Sequence, residues 1–222
     1  MSNEMIQLLV LAGIAVFLIL RLKNVLGTRE GFEKPPVSLP DTYDQAQRKR
    51  GSFEVIEGGA DPDIVDHVEE GSDAAAALAE MKRAEPGFHV GEFLEGARGA
   101  YEMILMGFER GEIDEIAPFL APEVKEAFES VVEQRVEQGL LVEANFVGFR
   151  ELTLQDAEFD DTTKEGEITV RFVGELTSVV RDSAGDIVEG DPNTIKRQKD
   201  IWTFARKMGS NDPNWQLVAT GG

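Results

Sequence analysis

Residues 201–220 read IWTFARKMGSNDPNWQLVAT and hold both tryptophans of the chain, Trp202 and Trp215. Alternate side chains of an extended segment share a face, so Trp202 and Phe204 point the same way. GSNDPN is a run of turn residues with the bend at Asp212 to Asn214, and Trp215 opens a last strand, NWQLVAT. Read in phase, the stretch is a closing hairpin rather than an active-site motif.

The same period of two continues upstream. IKRQKDIWTFARKM (195–208) is a long strand, and RDSAGDIVEGDPN (181–193) supplies hairpin turns. EITVRFVGELTSVV (167–180) directs Ile168, Val170, Phe172, Leu176 and Val180 to one side and Glu167, Thr169, Arg171, Glu175 and Arg181 to the other. LLVEANFVGFREL (140–152) is the first strand of the series.

Before Leu140 the period is helical. Ser72 or Asp73 caps a helix through AAAALAEMKRA, stopped by Pro86 and Gly87. In GEFLEGARGAYEMILMGFERG (91–111), Phe93, Ala97, Tyr101, Ile104 and Phe108 recur at steps of three and four and form one apolar face. EIDEIAPFL forms a short helix. PEVKEAFESVVEQRVEQG (122–139) starts with proline at its first turn and gathers Val124, Phe128, Val131 and Val132 on one side. Helices followed by an antiparallel meander predict an α+β domain over residues 72–222, with the helices packed on one face of a curved antiparallel sheet.

Composition removes much catalytic chemistry. There is no cysteine, and the two histidines, His67 and His89, stand far apart in sequence, so thiolate, disulfide and histidine-cluster chemistry is not expected. No cofactor or metal motif is present. The net charge is −20. Arg21 to Arg50 is basic, seven against four, whereas Gly51 to Glu80 carries nine acidic residues and no Lys or Arg. Such a chain repels nucleic acid over most of its surface, which argues against a nucleic-acid partner.

MIQLLVLAGIAVFLILRL, Met5 to Leu22, is interrupted only by Gln7 and Arg21. As a helix it spans about 27 Å at ~1.5 Å per residue, near the ~30 Å hydrocarbon core of a bilayer. A signal peptide would have a basic start and a small-residue cleavage site, and a core helix would have a polar face; this run has neither. It reads as a transmembrane anchor with the bilayer as its partner. Arg21, Lys23, Arg29 and Lys34 follow it and no base precedes it. The positive-inside rule then places residues 1–4 outside as a short tail and the C-terminal domain in the cytoplasm, a single-pass arrangement in the inner membrane. Residues 23–71, with four prolines and no sustained period, read as a disordered, flexible linker.

Four stretches carry a resemblance: FLEGARGAYEMI (93–104), EIAPFLAPEVKEAF (115–128), ITVRFVGEL (168–176) and DIWTFARKMGSNDPNWQLVAT (200–220). In order and spacing they resemble the C-terminal-domain family of the mitochondrial inner-membrane translocase subunit forty-four, the Tim forty-four-like domain, in its alphaproteobacterial membrane-anchored adaptor type. The resemblance implies a cone-shaped fold similar to nuclear transport factor two, with a bent sheet around a long helix and an apolar cavity, and no enzymatic activity. It also implies a place beneath an inner membrane; the mitochondrial member tethers an Hsp70-type motor through a long N-terminal region that has no counterpart here.

The function expected is a non-enzymatic membrane-anchored adaptor or scaffold in protein translocation, membrane-protein assembly or quality control. Its partners would be proteins such as a translocase, a chaperone or a membrane complex. One alternative is a ribosome or nascent-chain receptor, which would rely on Arg48 to Arg50 and on Lys196, Arg197 and Lys199. Another is an apolar-ligand or lipid-binding domain, or a cone-fold enzyme. The candidate cavity for an apolar ligand or lipid tail is Phe93, Tyr101, Phe108, Phe128, Phe172, Trp202 and Phe204. Tyr101 shows no evident partner in the sequence, and Asp200 and Arg206 are in phase with Trp202 but near the strand ends.

Overall fold

The computed structural model describes residues 61–221, all within one unit of the chain, Val55–Gly222. The expected anchor Met5 to Leu22, the topology-setting Arg21, Lys23, Arg29 and Lys34, and residues 23–60 of the expected linker lie outside the described residues. Among the described residues no helix is long and apolar enough to cross a membrane.

Order begins earlier than Ser72. Pro62–Val65 forms a one-turn helix, α1, and buries Ile64. Helix α2, Asp73–Ala84, starts at Ser72, whose hydroxyl accepts from Ala75 N at 3.1 Å, and it buries Ala74, Ala75, Leu78 and Met81. Helix α3, Val90–Arg110, is the long one and ends at Gly111. A short α4, Ile113–Ile116, runs into the 3-10 turn Ala117–Phe119, and α5 covers Pro122–Glu137. Gly107 lets α4 lie close to α3, since a Cβ there would stand 2.5 Å from Ile116 Cγ2.

Four antiparallel strands follow in the order β1-β2-β3-β4: β1 Leu141–Asp160, β2 Glu165–Arg181, β3 Ile187–Lys207 and β4 Gln216–Gly221. The domain is therefore mixed, helices first and an antiparallel sheet after, as the change of period foretells. The first strand runs on past Leu152 to Asp160. The third begins at Ile187, inside a segment expected to be all turn. The turn is confined to Asp182–Asp186, where the Asp182 carboxylate accepts from Ala184 N and Asp186 N at 2.9 and 3.0 Å and frees the next residues to pair. Pro192 then falls within a register shift of β3, where no ladder donor is needed.

Two smaller expectations also shift. Val131 is exposed, because the stripe of α5 that meets α3 runs through Phe128, Val132 and Arg135 and leaves Val131 on its flank. Val179, rather than Val180, is the buried valine near the end of β2. It pairs with Gly190 and shares a pocket wall with Pro192.

The start of α3 is capped from a distance. Its own N-cap residue, His89, makes no side-chain cap bond. Instead the Asp63 carboxylate of α1 accepts from Val90 N at 2.9 Å and Gly91 N at 3.0 Å, and Lys82 of α2 closes on it at 2.7 Å. An anion at a helix N-terminus satisfies orphan N–H groups and opposes the helix dipole. Desolvation alone would raise the Asp63 pKa; the hydrogen bonds from Lys82, Gly91 and Val90 outweigh it and bring the group down to about 2. A carboxyl lowered in the fold contributes its full stability above the ordinary range and loses it as pH falls from about 4 toward 2. Asp63→Ala is expected to cost about 1–2 kcal/mol at pH 7. In urea titrations the gap to the parent should close as pH is lowered through that window.

Candidate functional site

The α3 face that the sequence marks as apolar lies on the sheet. Phe93, Ala97, Tyr101 and Ile104 are buried, and Phe108 is partly so. Tyr101 is the middle of this face. Its ring stacks on Phe172 with centroids 4.4 Å apart and planes 19° apart, and it meets Trp202 at 4.6 Å and Phe149 at 5.4 Å. Gly174 makes the fit possible, because a Cβ there would stand 3.1 Å from Phe146 and 3.3 Å from the Tyr101 hydroxyl.

That hydroxyl does have a partner: it donates to Asp200 Oδ2 at 2.5 Å, and Gln198 Nε2 approaches the other oxygen at 3.3 Å. Burial raises the Asp200 pKa, with the hydrogen bonds from Tyr101 and Gln198 acting against it. Burial and the neighbouring carboxylate together hold the Tyr101 phenol far above its usual range, so it stays a donor. The pair is an acid beside a donor, with the phenol ring packed against Phe172, Trp202 and Phe149 and the carboxylate half-buried at the edge of that cluster.

Of the seven residues expected to form a cavity, Tyr101, Phe172 and Trp202 fill this core rather than line a space. Phe108 and Phe128 pair with each other at 4.4 Å between α3 and α5, where Arg135 stands 4.6 Å over the Phe108 ring. Phe93 and Phe204 do border a pocket, and their companions there are residues that periodicity did not single out. It lies between the first half of α3, the 3-10 turn and the β3–β4 loop, with a volume of about 360 Å³. Its aromatic wall is Phe88, Phe93, Phe119, Phe204 and Trp215, and Trp215 meets Phe93 at 4.7 Å and Phe88 at 5.9 Å. Trp215 thus precedes β4 and packs as a wall residue instead of starting the strand.

The polar side of the pocket is built by contacts between distant parts of the chain. Arg206, its side chain only 8% exposed, donates from Nη2 to Glu85 Oε1 at 2.8 Å, and its guanidinium stands 5.1 Å over Trp215. The other Glu85 oxygen accepts from Gly209 N at 2.8 Å, which ties the end of α2 to the β3–β4 loop. Glu85 is partly desolvated, which raises its pKa, but the Gly209 N–H and Arg206 outweigh this and lower it. Arg206 Nε is buried and finds no acceptor among the described residues.

The basic strand segment is partly neutralised within the domain. Arg197 stands 3.5 Å from Glu175, a carboxylate that Arg150 also engages at 2.7 Å. His89, half exposed, has Nδ1 3.7 Å from Asp63.

The model of the Tim44-like domain family matches residues 74–222. Over 151 residues the chain is 22% identical to the mitochondrial import inner membrane translocase subunit TIM44 of Homo sapiens, an alignment that covers 66% of this chain. The chain spans about a third of that relative's length, 33%. Among solved structures it is similar to the intermembrane space region of the chloroplast protein ARC6, at a TM-score of 0.40 and 9% identity, over 59% of this chain and 92% of that one.

The Tyr101–Asp200 pair sets a pH dependence. A carboxyl whose pKa is raised by folding favours the native state when protonated, so its contribution is lost as pH rises through the folded-state value. Asp200→Asn removes the partly desolvated charge while keeping an acceptor for Tyr101, and is expected to be at least as stable as the parent at pH 7, with a flatter stability curve above pH 4. Tyr101→Phe leaves the carboxylate short of a donor and should cost about 1–3 kcal/mol at pH 7. Thermal and urea unfolding of both variants against pH measures this.

Proposed function

We propose that this chain, which belongs to the Tim44-like domain family through residues 74–222, is a non-enzymatic adaptor held at an inner membrane. The observation that carries this reading is the family relation itself, which extends over residues 74–222, from α2 through β4, and includes a subunit of a protein translocase. Met5 to Leu22 supplies the anchor, by its apolar length, and the bases after it keep the domain on the cytoplasmic side. The fold that goes with this reading is a cone of the nuclear-transport-factor-two class, supported by helices that precede a four-stranded antiparallel sheet.

Anchoring works through concentration. A domain tied to the bilayer meets membrane-bound proteins at an effective concentration far above its bulk value, so contacts weak in solution become productive. The partners are proteins of a translocation, assembly or quality-control complex. The fold contributes docking surfaces instead of a reacting group: the acid–phenol pair of Tyr101 with Asp200 is spent on packing α3 against the sheet, and the aromatic pocket beside Arg206 stays open.

The full chain should sediment with membranes and resist alkaline carbonate, and removal of residues 5–22 should release it. Protease added to intact cells should leave the domain uncut, and protease added to opened cells should cut it; cleavage from outside would reverse the assigned topology. Photo-crosslinkers placed on exposed domain positions should trap discrete membrane-complex proteins, and traps that yield none would end the adaptor reading.

A further inference from the structure

The aromatic pocket has an unfilled polar capacity on its wall. A guanidinium carries five N–H donors in a fixed fork. That of Arg206 gives its charged hydrogen bond to a single Glu85 oxygen, with only a 3.8 Å approach to the Met208 sulfur besides, and leaves Nε buried without an acceptor. Buried donors without acceptors are uncommon and costly in folded proteins. Gly87 and Gly96 border the same pocket, and a Cβ built at either would meet nothing within 4 Å, so an incoming backbone has room to approach α3 closely.

Charge narrows the occupant. Two carboxylates, Glu85 and Glu92, line the pocket against the one guanidinium of Arg206, and the surrounding surface is acidic. An anionic head would therefore be repelled where it must be desolvated. A cation would face the Arg206 guanidinium, which already occupies a face of Trp215. What remains is a neutral acceptor beside an apolar group. The volume, about 360 Å³, is at the small end of ligand pockets, which run to ~300–1,000 Å³.

We infer that this pocket binds an extended, uncharged protein segment, seating one or two apolar side chains against Phe93, Phe204 and Trp215 while a backbone carbonyl of the segment accepts from the Arg206 guanidinium. The inference rests on the adaptor reading and gives it a docking site. The segment is recognised by chain and apolar side chain together, which suits an adaptor that meets more than one partner.

The test uses the full chain in phosphatidylcholine nanodiscs, labelled with 5-fluorotryptophan, the Trp215 fluorine resonance being assigned with Trp215→Phe. The probes are the blocked peptide N-acetyl-Leu-Phe-Leu-amide, the same peptide with a free C-terminal carboxylate, and decanoate. The blocked peptide should shift the Trp215 resonance saturably and leave the core Trp202 resonance in place, with both anionic probes binding several-fold more weakly. Arg206→Met should weaken the blocked peptide about tenfold, as loss of a charge-assisted hydrogen bond requires. Gly96→Leu should abolish binding by filling the open space, while melting no earlier than the parent because a helix-interior glycine is replaced.

An unmoved Trp215 resonance, decanoate binding as tightly as the blocked peptide, or unchanged affinity in Gly96→Leu would each overturn the inference. So would a Trp215 shift, without peptide, on exchanging the phosphatidylcholine nanodiscs for phosphatidylglycerol ones, which would make the occupant a lipid. Peptide binding with empty crosslinking traps would remove the adaptor reading and keep the pocket. Discrete crosslinks with no peptide binding would do the reverse.

Discussion

Tyr101 packs against the rings of Phe172 and Trp202, which also meet each other, with its hydroxyl on Asp200, and the architecture is organised around that contact. The phenol belongs to the middle of α3 and its three partners belong to the middle of β2 and the C-terminal half of β3, so one side chain fixes where the long helix crosses the sheet. The ring gains dispersion and stacking, about 0.5–1.5 kcal/mol per aromatic pair beyond burial, and the hydroxyl removes the cost of placing a polar atom among them. Asp200 is the opposing cost, a desolvated carboxylate, as the upward displacement of its pKa records. A Cβ at Gly174 would crowd Phe146 and the Tyr101 hydroxyl at 3.1 and 3.3 Å and push them outward.

Around this centre, carboxylates fasten the ends of the helices. Asp63 closes the start of α3 and Glu85 binds the end of α2 to Arg206 and Gly209. Asp63 ties the three helices at that end to one another, and Glu85 ties the helical layer to the sheet. The sheet edges are protected in a different way. Register shifts interrupt β1 at three places, and the half of β3 that β4 does not cover carries Pro192 within its bulge. Bulges and proline break the regular row of donors and acceptors that another strand would need. The accessible recognition feature is then the aromatic pocket, whose polar wall is the same Glu85–Arg206 pair that fastens α2.

The sequence made the two layers legible because burial has a period. Steps of three and four through Phe93, Ala97, Tyr101 and Ile104 could only be a helix face, and alternation through Ile168, Val170 and Phe172 could only be a strand; all seven are buried. The candidate site was less legible. An inward-facing aromatic is the same signal whether it fills a core or borders a space, so Tyr101, Phe172 and Trp202 looked like pocket residues until their mutual distances were known. Phe88, Phe119 and Trp215 stand in connections without a period, and nothing local marked them as a wall.

By itself the sequence determined the element types, their order, the apolar faces, the acidic charge and the family signature, since each depends on residues near one another along the chain. The tertiary structure alone decided that Tyr101 has Asp200 for a partner, that Asp63 caps a helix from a segment expected to be disordered, and that Arg206 is held at a pocket wall with a donor unused. These are pairings across 27 to 121 residues. Their strength comes from distance and desolvation, quantities that exist only once the chain has closed on itself.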